Sequence, residues 1–153
     1  MNSISGLNIN NHPASKRLLD IKIKNDYLDK VKELFDQSEL LDIEYKPFLR
    51  FHISDIFNKV FDGKIKDIIN KTLQDRNQGA FIIGPEHMDS NKYDTDFLVK
   101  LSTALTHLVG TPNFDAMAGK FYARFEVKHT DNSDSYLRKA YKKLDLHTDG
   151  TYV

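Results

Sequence analysis

The chain has 153 residues, enough for one domain with a substantial core. Its 22 basic residues balance 22 acidic ones, which argues against a field-driven nucleic-acid binder. With no cysteine it forms no disulfide, thiolate zinc site or thiol nucleophile, and no apolar run reaches the roughly 20 residues that span a bilayer.

Residues 1–16 are rich in Asn and Ser and read as a flexible N-terminal tail, with no apolar core of a signal peptide. RLLDIKIK (17–24) alternates apolar and charged residues, the pattern of a half-buried strand. Asn25-Asp26 can cap a helix that carries Tyr27, Leu28, Val31, Leu34 and Phe35 on one face. Pro47 suits the first turn of a longer helix running to about residue 76, which Gly63 can divide in two. GAFIIG (79–84) reads as a buried strand, and PEHMDSNKYDTD as a loop. Phe97, Leu98, Leu101, Leu105 and Leu108 mark another amphipathic helix, stopped by Gly110 and Pro112. TPNFDAMAG is a loop, KFYARFEVKH (120–129) alternates as a strand, and TDNSDSYLRKAYK is turn-rich. KLDLHTDGTYV alternates again up to the last residue. The fold class is α+β, and the strands look like the beginning of a β domain whose remainder is absent.

His-x-Asp occurs three times, at His87/Asp89, His129/Asp131 and His147/Asp149. In a strand, residues i and i+2 share a face, so such a pair can converge on one ion. A neutral imidazole nitrogen and an anionic carboxylate oxygen are two thirds of the 2-His-1-carboxylate triad that binds non-heme Fe(II). The competing reading for any copy is a solvated surface pair. His87/Asp89 lies in a polar loop where Asp89 serves the backbone, and His129/Asp131 lies where a strand breaks into turns. His147/Asp149 ends an alternating strand, with Gly150 allowing close backbone approach. His52 and His107 lie in helices and read as packing or surface residues, and His12 falls in the tail. No Gly-rich phosphate loop or nucleophile elbow is present.

The strings FDAMAGKFYARFEVKHTDNSDSYLRKAYKKLDLHTDGTYV, EYKPFLRF and LTHLVGTPNFDAM closely resemble the carbon-starvation-induced protein family, the bacterial glutarate 2-hydroxylases. The resemblance runs from about residue 17 to the end. It implies a double-stranded β-helix (jelly-roll) dioxygenase fold with flanking helices, here incomplete, over a single truncated domain, 17–153. It also implies Fe(II) as cofactor, 2-oxoglutarate as co-substrate, and hydroxylation of glutarate by O₂ to L-2-hydroxyglutarate in lysine degradation. The family is cytoplasmic and homotetrameric, with no nucleic-acid or membrane partner. Its His-x-Asp iron pair maps onto His147 and Asp149. The third ligand, a downstream His, and the Arg that grips the far carboxylate of 2-oxoglutarate have no counterpart in these 153 residues. The chain therefore reads as the N-terminal part of such an enzyme, inactive alone. The alternative is a non-catalytic remnant or an interaction module that associates with full-length subunits.

A dicarboxylate substrate calls for fixed donors. The polar candidates close in sequence to the iron pair are Tyr122, Arg124, Ser135, Tyr136, Arg138 and Tyr152, with Arg124 and Tyr122 on one face of their strand. Against this, an arginine near a turn is commonly a solvated or structural ion pair.

Overall fold

The computed structural model describes residues 4–112 together with Gly119 and Phe121. These belong to a compact unit spanning Met1–Tyr122. In chain order its elements are β1 (Leu7–His12), β2 (Ser15–Ile23), α1 (Asn25–Phe35), α2 (Leu40–Tyr45), α3 (Pro47–Val60), α4 (Lys64–Gln74), β3 (Ala80–Pro85) and α5 (Thr95–Val109). The class is α+β, as the patterning indicates.

The strands form a mixed sheet in the order β1-β2-β3. β1 and β2 make a hairpin around Pro13 and Ala14, with Ile9 opposite Ile21 and a bulge between Asn11 and His12. β3 runs parallel to β2, with Phe81 opposite Leu19 and Ile83 opposite Ile21. Side chains alternate across a strand, so Leu19, Ile21 and Ile23 line the buried face. Burying such residues contributes roughly 1.5–3 kcal/mol each. Against that face packs a helical layer centred on α3, which contacts α1, α2, α4 and α5. Ile53 and Phe57 of α3, Phe35 of α1 and Ala104 of α5 are wholly buried.

Helix boundaries follow local chemistry. Pro47 opens α3, where its missing N–H costs nothing. Gly63, at φ 75°, breaks the α3–α4 run in the left-handed region that glycine tolerates. Asp94 caps α5 by accepting a hydrogen bond from the Phe97 N–H at 2.8 Å.

Three expectations are corrected. Residues 7–12 are not tail but strand β1, because pairing with β2 buries Leu7 where composition alone shows an Asn-rich stretch. Asn25 is the first helical residue, not the cap. Lys24 occupies the cap position without a side-chain bond, while Asn25 exchanges two hydrogen bonds with the His87 backbone, at 2.9 and 3.1 Å. β3 is not a buried strand: among the described residues only β2 pairs with it, none of its residues is fully buried, and Ile82 is 43% exposed. Helix α2, six residues long, lies in a stretch whose pattern is too short to announce it.

Candidate functional site

Among the three His-x-Asp pairs, only His87/Asp89 falls within the described residues. Both side chains are exposed. The Asp89 carboxylate accepts from the Asn91 N–H at 3.0 Å, and its carbonyl accepts from the N–H groups of Lys92 and Tyr93. That is a loop-ordering role, as the sequence context indicates. Among the described residues no group of three or more His, Asp or Glu side chains is placed to hold a metal. His147 and Asp149, His129 and Asp131, and the candidates Tyr122, Arg124, Ser135, Tyr136, Arg138 and Tyr152 lie outside the described residues.

His52 is exposed, and His107 is buried at 8% exposure. The His107 Nδ1 lies 2.8 Å from the Thr103 carbonyl, an oxygen that can only accept, so Nδ1 carries the proton. Burial pushes the His107 pKa down, against the opposing pull of that hydrogen bond, and Arg50 lowers it further. The ring is therefore a neutral donor to its own helix. It packs perpendicular to the Phe51 ring, at a centroid distance of 5.0 Å and an interplanar angle of 88°. His12 closes β1 and accepts from the Ala14 N–H at 3.2 Å.

The residue that sequence reasoning missed is Arg50. It is 5% exposed, at the position on α3 that precedes Ile53, Ser54 and Phe57 by three, four and seven residues. That spacing is the buried stripe of the helix, and a charged residue on it was the signal available. The Arg50 guanidinium lies 3.7 Å from the centre of the Phe121 ring. Ile43, Glu44, Thr103, Thr106, His107 and Pro112 complete the surroundings of a cavity of about 20 Å³. A larger groove, about 490 Å³, separates α4 from the sheet. Its floor is Ile4, Ile9, Leu19 and Ile68, and its rim alternates Lys64, Asp67, Lys71 and Asp75 along α4. Spacing of three or four residues puts those four charges on one helix face.

Residues 7–153 match the CsiD family. The chain belongs to the CsiD family. Two curated relatives agree with that placement. A glutarate 2-hydroxylase of Citrobacter koseri is 42% identical over 139 residues, which cover 91% of this chain and 42% of the relative. A glutarate 2-hydroxylase of Klebsiella pneumoniae is 41% identical over 148 residues, 97% of this chain and 45% of the relative. The chain thus spans less than half the length of these curated relatives. The CsiD match begins at Leu7, so it takes in β1 as well as the strings from residue 17 onward. Among the described residues no helix is long and apolar enough to cross a membrane.

Proposed function

We propose that this chain is part of a glutarate 2-hydroxylase that depends on Fe(II) and 2-oxoglutarate, with His147 and Asp149 as two of the protein ligands to iron. The observation that carries this reading is identity of 41–42% to two glutarate 2-hydroxylases, spread over 91–97% of the chain. The tripeptide His147-Thr148-Asp149 lies inside the family match. Its donor chemistry suits a ferrous ion, with one neutral nitrogen and one anionic oxygen. No histidine follows His147, so these residues supply two members of a three-membered set. When bound, Fe(II) supplies open coordination positions for a chelating 2-oxo acid and for activation of O₂.

The remaining expectations belong to the same reading. The strands after α5 contribute to a double-stranded β-helix. Tyr122, Arg124, Ser135, Tyr136, Arg138 and Tyr152 are the groups from which donors to a dicarboxylate are drawn, and arginine's planar fork matches a carboxylate best. The assembled enzyme is a cytoplasmic homotetramer.

Titration of the purified chain with Co(II), followed in the visible absorption spectrum, tests the metal pair. The expected result is a saturable spectrum that His147→Ala and Asp149→Ala each abolish, while His87→Ala and Asp89→Ala leave it intact. An unchanged spectrum in the first two variants overturns the assignment. The 153-residue chain by itself is expected to form no succinate from 2-oxoglutarate and glutarate. Glutarate-dependent succinate formation would show that two ligands suffice.

A further inference from the structure

Arg50 is a buried cation with little to show for its burial in packing terms. Its Nε is out of contact with solvent and has no hydrogen-bond partner. None of the ion pairs among the described residues includes it. Burial also pushes its pKa down, the sign of a charge held out of water. Desolvating a guanidinium costs several kcal/mol, and an apolar side chain of similar length would fill the same stripe of α3 without that cost. The adjoining cavity, about 20 Å³, has room for one water and not for an acid.

What the guanidinium does have is the face of Phe121 at 3.7 Å. A desolvated cation–π contact is stronger than an exposed one, and a planar guanidinium adds stacking that an ammonium lacks. We infer that Arg50 is a positioning residue, whose guanidinium latches the chain at Phe121 onto the α3–α5 pair by stacking on the Phe121 ring. α3 presents the cation, and His107 of α5 closes the same small cavity as a neutral ring. Phe121 immediately precedes Tyr122 and stands three residues before Arg124 in the sequence. The purpose of the latch, to fix where the substrate-candidate segment begins, rests on the proposed function; the latch itself does not.

The chain has no tryptophan, so Phe121→Trp installs a single indole that reports on this contact alone. In that background Arg50→Met is expected to raise acrylamide quenching by about threefold and to shift emission to the red, with the melting temperature unchanged or higher. Arg50→Lys, which keeps the charge without the plane, falls between. Equal quenching with Arg50 and with Met at this position overturns the latch. Should Arg50→Met fail to fold, the Arg50 Nε–H resonance of the otherwise unaltered protein decides. It is expected upfield, in the Phe121 ring current, and Phe121→Leu is expected to remove that displacement. A resonance that does not move overturns the latch. The Co(II) titration at His147 and Asp149 is scored separately: its failure counts against the proposed function and leaves both latch readouts standing.

Discussion

The Tyr93 hydroxyl donates to Asp29 Oδ1 at 2.7 Å, while Lys92 Nζ lies 2.6 Å from the other carboxylate oxygen. One side chain of α1 thus holds two consecutive residues of the loop that leads into α5. The two bonds lower the Asp29 pKa, and burial together with the same bond raises that of Tyr93. Tyr93→Phe is expected to cost about 1–2 kcal/mol in urea denaturation, the range for a hydrogen bond to a charged group that water reaches in part. Lys92→Met is expected to cost under about 1 kcal/mol, since Lys92 and Asp29 are 48% and 37% exposed. The folded carboxyl titrates below its ordinary 3.8, so its contribution is full above that value and is lost as pH falls through the lowered one. Tyr93→Phe should therefore flatten the acid limb of the stability curve below pH 3.8.

His107 gives a second pH dependence, in a different window. Its folded pKa lies below the ordinary 6.5, so the unfolded chain takes up a proton first as pH falls. Stability is expected to be full above pH 6.5, to decline below it, and to level off once the folded state also protonates. Arg50 faces the ring and opposes its charging, and Glu44 lines the same cavity. His107→Phe should remove the decline that sets in below pH 6.5, read from chemical denaturation at several pH values.

Gly6 lies beneath Tyr27. A Cβ on Gly6, which sits at φ +83°, would lie only 2.3–2.7 Å from three carbons of the Tyr27 ring. The Gly6 carbonyl also accepts from the Lys24 N–H at 2.9 Å, holding the entry to β1 against the start of α1. Gly6→Ala is expected to destabilise by about 2 kcal/mol or more, because strained backbone and steric overlap add. A thermal melt within 2 °C of the unaltered protein, on the order of 0.5 kcal/mol, would contradict that account.

Lys100 reaches across the helical layer. Its ammonium donates to the Phe35 carbonyl at 3.1 Å, at the C-terminal end of α1, with the residue only 7% exposed. The charge meets the negative end of the helix dipole, at a carbonyl that also accepts from the Ser38 N–H at 3.1 Å. Lys100→Met keeps the stem and loses the head, and is expected to cost about 1–2 kcal/mol, with amide exchange increasing first in the last turn of α1.

Legibility in the sequence followed the range of the interaction responsible. The α3–α4 division at Gly63 and the Pro47 start are decided within a few residues, and each is where local reasoning puts it. β1 was invisible because LNINNH has only two apolar residues and Asn is a poor strand former; its partner in the hairpin supplies what its own sequence lacks. β3 carries an apolar run that composition reads as interior. Phe81 and Ile83 do face inward, but Ile82 faces out, and no local pattern states how many neighbours a strand will have. Asn25 has the chemistry of a cap and spends it on His87, a contact visible only once the chain has folded back. For the proposed metal pair, the signal lies in the strings around His147 and Asp149, because spacing alone does not separate three His-x-Asp patterns. Arg50 was legible in principle, as a charge on an apolar stripe.

β2 and β3 lie side by side and parallel, yet α1, α2, α3 and α4 all come between them in the chain. The hairpin of β1 and β2 can close around Pro13 and Ala14 as soon as both strands exist. The third strand must wait until the whole helical run has been synthesised and gathered, a long closure that slows folding. Meanwhile Leu19, Ile21 and Ile23 present an oily ribbon with no cover, the kind of transient surface that chaperones hold and that aggregates recruit. The helices thus have two tasks, one as the wall of the finished molecule and an earlier one as the clock that decides how long its sheet stays open.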